Sequence, residues 1–557
     1  SLSGFNIENQ VSARGGSHSK GAAAGTIYHM NKNTDTHGHL IISNAGSVGS
    51  QQLYTYTPLQ APMSGTDSTI SSSNLTFGSS YTEFSYDTGF LKGLYINPDI
   101  NENTTLSFSD DTIFKINNHS GASISVPTSM ASVASTGDRY QLIARFDSLN
   151  IKDTSDFRID IPMYLDSLNI NASKLTTKVK RTELTTHLTG ALSLVNSSTW
   201  YQSHTETTNN GDEYSIEIIA ASANISAGSS ITSTGKGYMP STTYKCKVVG
   251  NQEFADSGTA FDGSSSRYTG ASHGGRGGSP GNYTPMEVYG NLFDPYWSGA
   301  ACRDDQATTA GGGIVRLDLG SGNLVLNGDI NSNGGDTAYI TGAGGSVYIN
   351  AGQVSGTGSI SARGGDISSG NNETGGGGRI ALYYNSLSGF NIENQVSARG
   401  GSQTRNAAAG TLYYKNKTSD SYGHLLLNNT GTAGTNGLYS ISKINSPVSN
   451  TNSTISAASF TFGQSYTDFS IDTGYLKGLY LNPDLNENAT LSFSDDILFK
   501  IDNHSGATLT VPSTMDSVAS SGDKYQVIAR FDSLNLKNNS DFNSDIPIYV
   551  GSLDIDS

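Results

Sequence analysis

Apolar residues recur at every second position in short runs, and clusters of Gly, Asn, Asp and Ser break the runs. In GGGIVRLDLGSGNLVLNGDI (311–330) Val315, Leu317 and Leu319 share one side, and Leu324, Leu326 and Ile330 follow after a turn. The next unit repeats the arrangement with Val347, Ile349, Val354 and Ile360, and the one after it with Ile380, Leu382, Leu387, Phe390, Ile392 and Val396. Period-two alternation marks strands with one buried face. Helical periodicity is nearly absent.

Each unit runs roughly 25 residues, a length typical of stacked repeats. One such unit cannot bury its apolar side alone, but neighbours stacked on it can. The pattern therefore predicts an all-β chain with a right-handed parallel β-helix (solenoid) over 214–431. Gly and Asn at its corners would supply the positive φ that sharp turns need. A β-sandwich with Gly-rich loops is the alternative architecture. Within this region, 238–310 reads as an irregular Cys-containing loop.

A much longer repeat overlies the short one. SLSGFNIENQVSARGG occupies 1–16 and returns at 386–401, an offset of 386 − 1 = 385 residues. The match runs without a gap to the last residue. Most differences exchange Ile, Leu and Val, or Ser, Thr, Asn and Asp, so core and turns are both kept. Four segments follow from this. Residues 1–46 end a solenoid segment, 47–213 form a β-rich module, 214–431 form the Gly-rich solenoid, and 432–557 are the second copy of the module. The module has longer strands, such as RYQLIARFDSL, and reads either as continuing solenoid or as a β-sandwich. Copying a 385-residue unit in register serves length or multivalency. Because the chain starts and stops inside repeats, the array is expected to continue on both sides.

Composition narrows the functional classes. Hydrophobic residues make up 35% and charged residues 14%, against about 45–50% and about 25% in ordinary globular domains. The 29 Tyr and 19 Phe argue against disorder, which lacks aromatics. The net charge of −16, with no basic stripe, excludes a nucleic-acid partner. No apolar run approaches the roughly 18–20 residues of a membrane-spanning helix, so no membrane span is expected in this segment. Cys246 and Cys302 are the only cysteines. In a secreted protein they suggest one disulfide, and in a reducing compartment two free thiols.

Candidate chemistry is sparse. His18, His29, His37 and His39 crowd the first copy, but Gln403, Tyr414 and Tyr422 replace three of them in the second, leaving His424. They therefore read as surface residues rather than as a ligand set. The turns NPDINEN (97–103) and NPDLNEN (482–488) offer hard oxygen ligands at Asp99, Asn101, Asp484 and Asn486. Calcium is the one ion they would suit, and no other cofactor is expected. Phe293, Tyr296 and Trp297 sit close together in the irregular loop, where exposed rings would form a sugar- or protein-binding patch. Their alternative role is to pack that loop down. HGGRGG (273–278) and CRDDQ (302–306) faintly echo β-helix polysaccharide hydrolases, but the spacing and order differ, so no enzyme is expected.

The stretches GTGSISARGG (356–365), GGGGRIALYY (375–384), AAGTLYY…YGHLLLNN (408–429) and ASHGGRGG (271–278) resemble those of very large, Gly-rich, tandem-repeat bacterial cell-surface and adhesin-like proteins. The resemblance implies a secreted β-solenoid stalk. The expected function is an extracellular structural repeat protein forming a cell-surface fibre, filament or stalk that self-associates. The alternative is a multivalent adhesin for a cell-surface glycan or protein, and the second alternative is a β-helix polysaccharide-degrading enzyme.

Overall fold

A computed structural model describes residues 5–15, 22–44, 64–78, 88–100, 108, 111–181, 183–204, 213–239, 269–279, 288–301, 310–337, 340–367, 373–402, 407–430, 449–451, 453–463, 474–485, 493, 496–544 and 546–556. Cys246, Cys302, His18, Asn101, Asn486 and the CRDDQ stretch lie outside the described residues. Within them the protein is nearly all β, with long parallel sheets. No helix there is long and apolar enough to cross a membrane.

The alternation of the sequence becomes three parallel tracks, visited in the same order on each pass. Strand Ile314–Asp318 lies on the first track, Leu324–Leu326 on the second and Asp329–Asn331 on the third. The next pass places Ser346–Asn350, Gln353–Ser355 and Ser359–Ser361 beside them. The pass after it begins with Arg379–Tyr384. Each of these strands pairs with its counterpart one pass away. Val315 lies beside Val347 and then Ile380, Leu324 beside Val354 and then Leu387, and Ile330 beside Ile360 and then Val396. These stacked side chains point inward and are buried, apart from half-buried Leu387. A one-residue slip would turn each ladder out to solvent, so burial holds the register.

The tracks extend through the earlier residues. Tyr140–Lys152 and Met163–Asn171 are long strands that span the first two tracks and pair with each other in parallel. Asp156–Ile159 begins the seven-stranded third track, which ends at Val396–Ser397. Pairing crosses residue 213 without a break, because Thr186–Leu188 and Ala191–Val195 pair with Tyr214–Ile219 and Ser222–Ile225. The corner between the second and third tracks is left-handed on several passes, at Asp153, Ala172, Asn196, Gly228 and Gly356.

The described residues between 64 and 137 are different: Ser64–Gly65 and Tyr95–Asn97 pair antiparallel with Tyr140–Lys152, and Phe114–Lys115 pairs with Tyr95–Asn97. The short strands Thr69–Ser71, Asn74–Thr76, Asn118–Ser120 and Ser123–Ser125 form a separate antiparallel sheet, and the second copy repeats it with Ser453–Ser456, Ser459–Phe462, Asn503–Ser505 and Thr508–Thr510. The second copy then rebuilds the parallel start. Strand His424–Asn428 pairs with Tyr525–Lys537, which pairs with Ile548–Asp556.

The pass that follows Met163–Asn171 lies within the sequence for the first copy only. In the first, Ala191–Val195 covers Met163–Asn171, and Leu168 and Ile170 are buried. Their counterparts Leu553 and Ile555 are 56% and 68% exposed.

Glycine has a second role besides turning corners. The run Gly375–Gly378 does not sit in left-handed corners. It is packed backbone to backbone against other glycine segments, including 270–278 from the irregular loop. Gly275 donates to the Gly377 carbonyl at 2.8 Å, and Gly376 donates to the Ala271 carbonyl at 2.8 Å. A Cβ on Gly376 would meet the Gly275 oxygen at 1.9 Å.

Candidate functional site

On the first track the alternate positions face away from the core. They carry Arg316, Tyr348, Arg379, Ala381, Tyr383, Tyr413 and Lys415, aligned by the parallel register. Part of this outer face is covered by residues 288–301. Phe293 and Trp297 are 6% and 8% exposed, and Tyr296 is half-buried. Of the two roles open to Phe293, Tyr296 and Trp297, an exposed binding patch or packing of the segment, their burial corresponds to packing. Burial is favourable for these rings because the track beneath offers aromatic and cationic partners. Phe293 meets Tyr413 edge-on at 4.9 Å, and the Arg181 guanidinium lies 3.7 Å above Trp297 and 4.5 Å above Tyr296.

Beneath the covering segment lies a buried charge network. Arg316 Nε reaches Glu217 at 2.9 Å, its Nη2 reaches Asp294 at 2.8 Å, and Asp294 also accepts from Lys477 Nζ at 2.7 Å. Burial pushes Glu217 up to about 7 despite Arg316. Burial would also raise Asp294, but Arg316 and Lys477 outweigh it and hold that carboxyl at about 2. The histidine of HGGRGG is equally enclosed. His273 is fully buried, its Nδ1 lies 2.7 Å from the Gly344 carbonyl, and its ring packs on Tyr289. Burial pushes this imidazole down to about 3. A neutral, enclosed histidine of this kind holds the segment in place.

At the edge of the covering segment a cleft of about 340 Å³ opens. It is lined by buried Phe293 and Tyr413 and by half-buried Tyr348, Tyr383, Tyr422 and Tyr480. Tyr348 and Tyr383 stand 5.6 Å apart, as do Tyr383 and Tyr413. The Tyr383 hydroxyl donates to the Phe293 carbonyl and that of Tyr413 to the Tyr422 carbonyl, which fixes both rings. Four lysines also line the cleft, namely Lys415, Lys417, Lys477 and Lys500. Lys477 pairs with Asp294, whereas Lys415 and Lys417 donate to neutral oxygens of Ser421, Gly320 and Asn350. Burial lowers the Lys415 ammonium, and the nearby Lys500 charge lowers it further.

A second cluster recurs in both copies. Atoms of Asp35, His39 and Asp147 lie within 4.8 Å of one another, and so do those of Asp420, His424 and Asp532. Asp147 accepts from the backbone N–H groups of Thr36, His37 and Gly38 at 2.9–3.1 Å. His39 bridges Asp35 at 3.3 Å and the Ser148 hydroxyl at 2.8 Å. These groups clamp a hairpin turn onto the long strand Tyr140–Lys152. His29, His37 and His39 are half-buried surface residues, each with a defined ring or hydrogen-bond partner. His29 stacks on His39 at 4.9 Å, and Tyr414 preserves that distance on His424. His37 meets Tyr95 edge-on as Tyr422 meets Tyr480. The exchanged residues keep their ring contacts.

Of the calcium candidates, Asp99 and Asp484 are half-buried, and their N–H groups donate to Asn97 and Asn482 in tight turns. The lysine and tyrosine cleft escaped the sequence reading because its parts are far apart along the chain. The alternation of Tyr413, Lys415 and Lys417 on an outward face was its one local sign. The chain matches no family model, no curated protein and no solved structure.

Proposed function

We propose that the chain is part of an extracellular structural repeat protein that forms a stiff cell-surface stalk or filament. Its three tracks are read as a right-handed parallel β-helix, with 140–213 continuing the solenoid and 64–137 inserted as a small antiparallel sheet. The observation that carries this reading is the in-register stacking of aliphatic residues on all three tracks, pass after pass. Such stacking passes backbone hydrogen bonds along one axis and limits each pass to contacts with its neighbours. The low charge and the Gly-rich motifs support a surface location. No catalytic role is proposed, since His273 and Arg276 are buried.

Electron microscopy of the native surface and of isolated protein tests the reading. Rods whose fibre diffraction shows a roughly 4.8 Å axial spacing are expected. Compact particles without that spacing would refute it. A second reading, display of one ligand-binding cleft per 385-residue repeat, is favoured by the aromatic and cationic lining at Tyr383 and Lys500.

A further inference from the structure

We propose that the cleft between the outer face of the first track and the second-copy module binds a short stretch of an anionic saccharide, through carboxylate or sulfate groups held by Lys415 and Lys500 and sugar rings laid on the tyrosines.

The charge distribution points to an anion. The chain carries a net −16, yet four lysines gather at one cleft. Only Lys477 among them has a carboxylate partner among the described residues, and that carboxylate, Asp294, is shared with Arg316. Asp502 is the other acidic residue on the lining. Lys500 repels Lys415, and Asp532 and Asp420 each attract it less strongly. Two ammonium groups facing one cavity are stabilised by an anion placed between them.

The walls point to a sugar. Tyr348, Tyr383, Tyr422 and Tyr480 line the space, with Arg316 stacked 4.2 Å over Tyr348 and Arg530 3.8 Å over Tyr422, and the volume of about 340 Å³ lies at the small end of ligand sites, about 300–1,000 Å³. That space suits one or two pyranose rings. A nucleic acid would need a longer basic track than four lysines gathered at one cleft.

The chain's own duplication keeps part of the set. Lys417, Lys477, Tyr480 and Lys500 correspond, at an offset of 385, to Lys32, Lys92, Tyr95 and Lys115. Met30 and His37 stand where Lys415 and Tyr422 do, so the first copy is expected to bind more weakly. This proposal goes beyond the structural reading, and either can fail alone: microscopy reports rods, and calorimetry reports binding.

The test is titration of the full chain with short oligogalacturonate, with a matched neutral galacto-oligosaccharide and with a Glu-rich peptide as comparators. Binding of the uronate alone, weakened by added salt, is expected. The double variant Lys415→Gln/Lys500→Gln should lose about tenfold or more in affinity, and Lys174→Gln, on another face, should lose none. Lys500 is exposed, so Lys500→Gln alone keeps the test valid if the double variant fails to fold. No binding, equal binding of the neutral sugar, tighter binding of the peptide, or unchanged affinity in the lysine variants would each overturn the proposal.

Discussion

Substituting Gly377 by Ala is expected to disrupt the glycine layer far more than its single methyl suggests. The new Cβ would lie 1.9 Å from the Ala398 carbonyl oxygen and 2.3 Å from the Gly410 nitrogen. Those two atoms are partners in a 2.7 Å hydrogen bond, so the methyl lands on the bond itself. Both are backbone atoms of neighbouring segments and cannot rotate away. Gly377 also donates to Ala408 and accepts from Gly275, which prevents it from retreating. Overpacking costs about 1–3 kcal/mol, and groups left unpaired by an opened buried hydrogen bond cost about 1–3 kcal/mol. Gly377→Ala should therefore lose about 3–5 kcal/mol. Gly320→Ala is the control. Gly320 has φ +58° with nothing within 4 Å of its added Cβ, so only the left-handed backbone is penalised, by about 1–2 kcal/mol. Urea unfolding followed by the fluorescence of Trp200 and Trp297, with hydrogen exchange at the Gly410 amide, measures both. Equal losses in the two variants would refute close backbone packing as the reason for the glycine run.

Three further outcomes are expected. Glu217 has its folded pKa raised to about 7 from 4.5, so its contribution to stability is full below about 4.5 and falls as pH rises through about 7; Glu217→Gln should flatten this dependence in melts across that window. Asp147→Ala should cost about 2–3 kcal/mol by leaving turn N–H groups without a charged acceptor, and chelation should leave the wild-type Tm unchanged, because the Asp147 oxygens are already occupied by N–H donors; a drop in Tm with EDTA would contradict the turn-clamp role. Appending a copy of residues 173–236 after Ser557 should cover Leu553 and Ile555 and stabilise that strand by about 2–4 kcal/mol, read as a rise in Tm.

Much of the fold was legible in the chain itself. Alternation alone assigned Val315, Leu317, Val347, Ile349, Ile380 and Leu382 to the inside, because a strand has only two faces and the polar set must take the other. The 385-residue offset was legible as identity, and it also explained why His29 and His37 are exchangeable once their ring contacts were seen. Contacts between distant segments had no such signature. Glycine at a corner and glycine in a close-packed layer look alike in sequence, and only the approach of 270–278 to Gly375–Gly378 distinguishes them. Phe293, Tyr296 and Trp297 read either as packing the loop down or as a binding patch, and the outward Arg316, Tyr348 and Tyr413 settled it by offering partners. The cleft needed residues from 293 to 502 brought to one place. Side-chain alternation is a local property set by backbone geometry, whereas a cavity depends on how separate passes of the chain come to rest against one another.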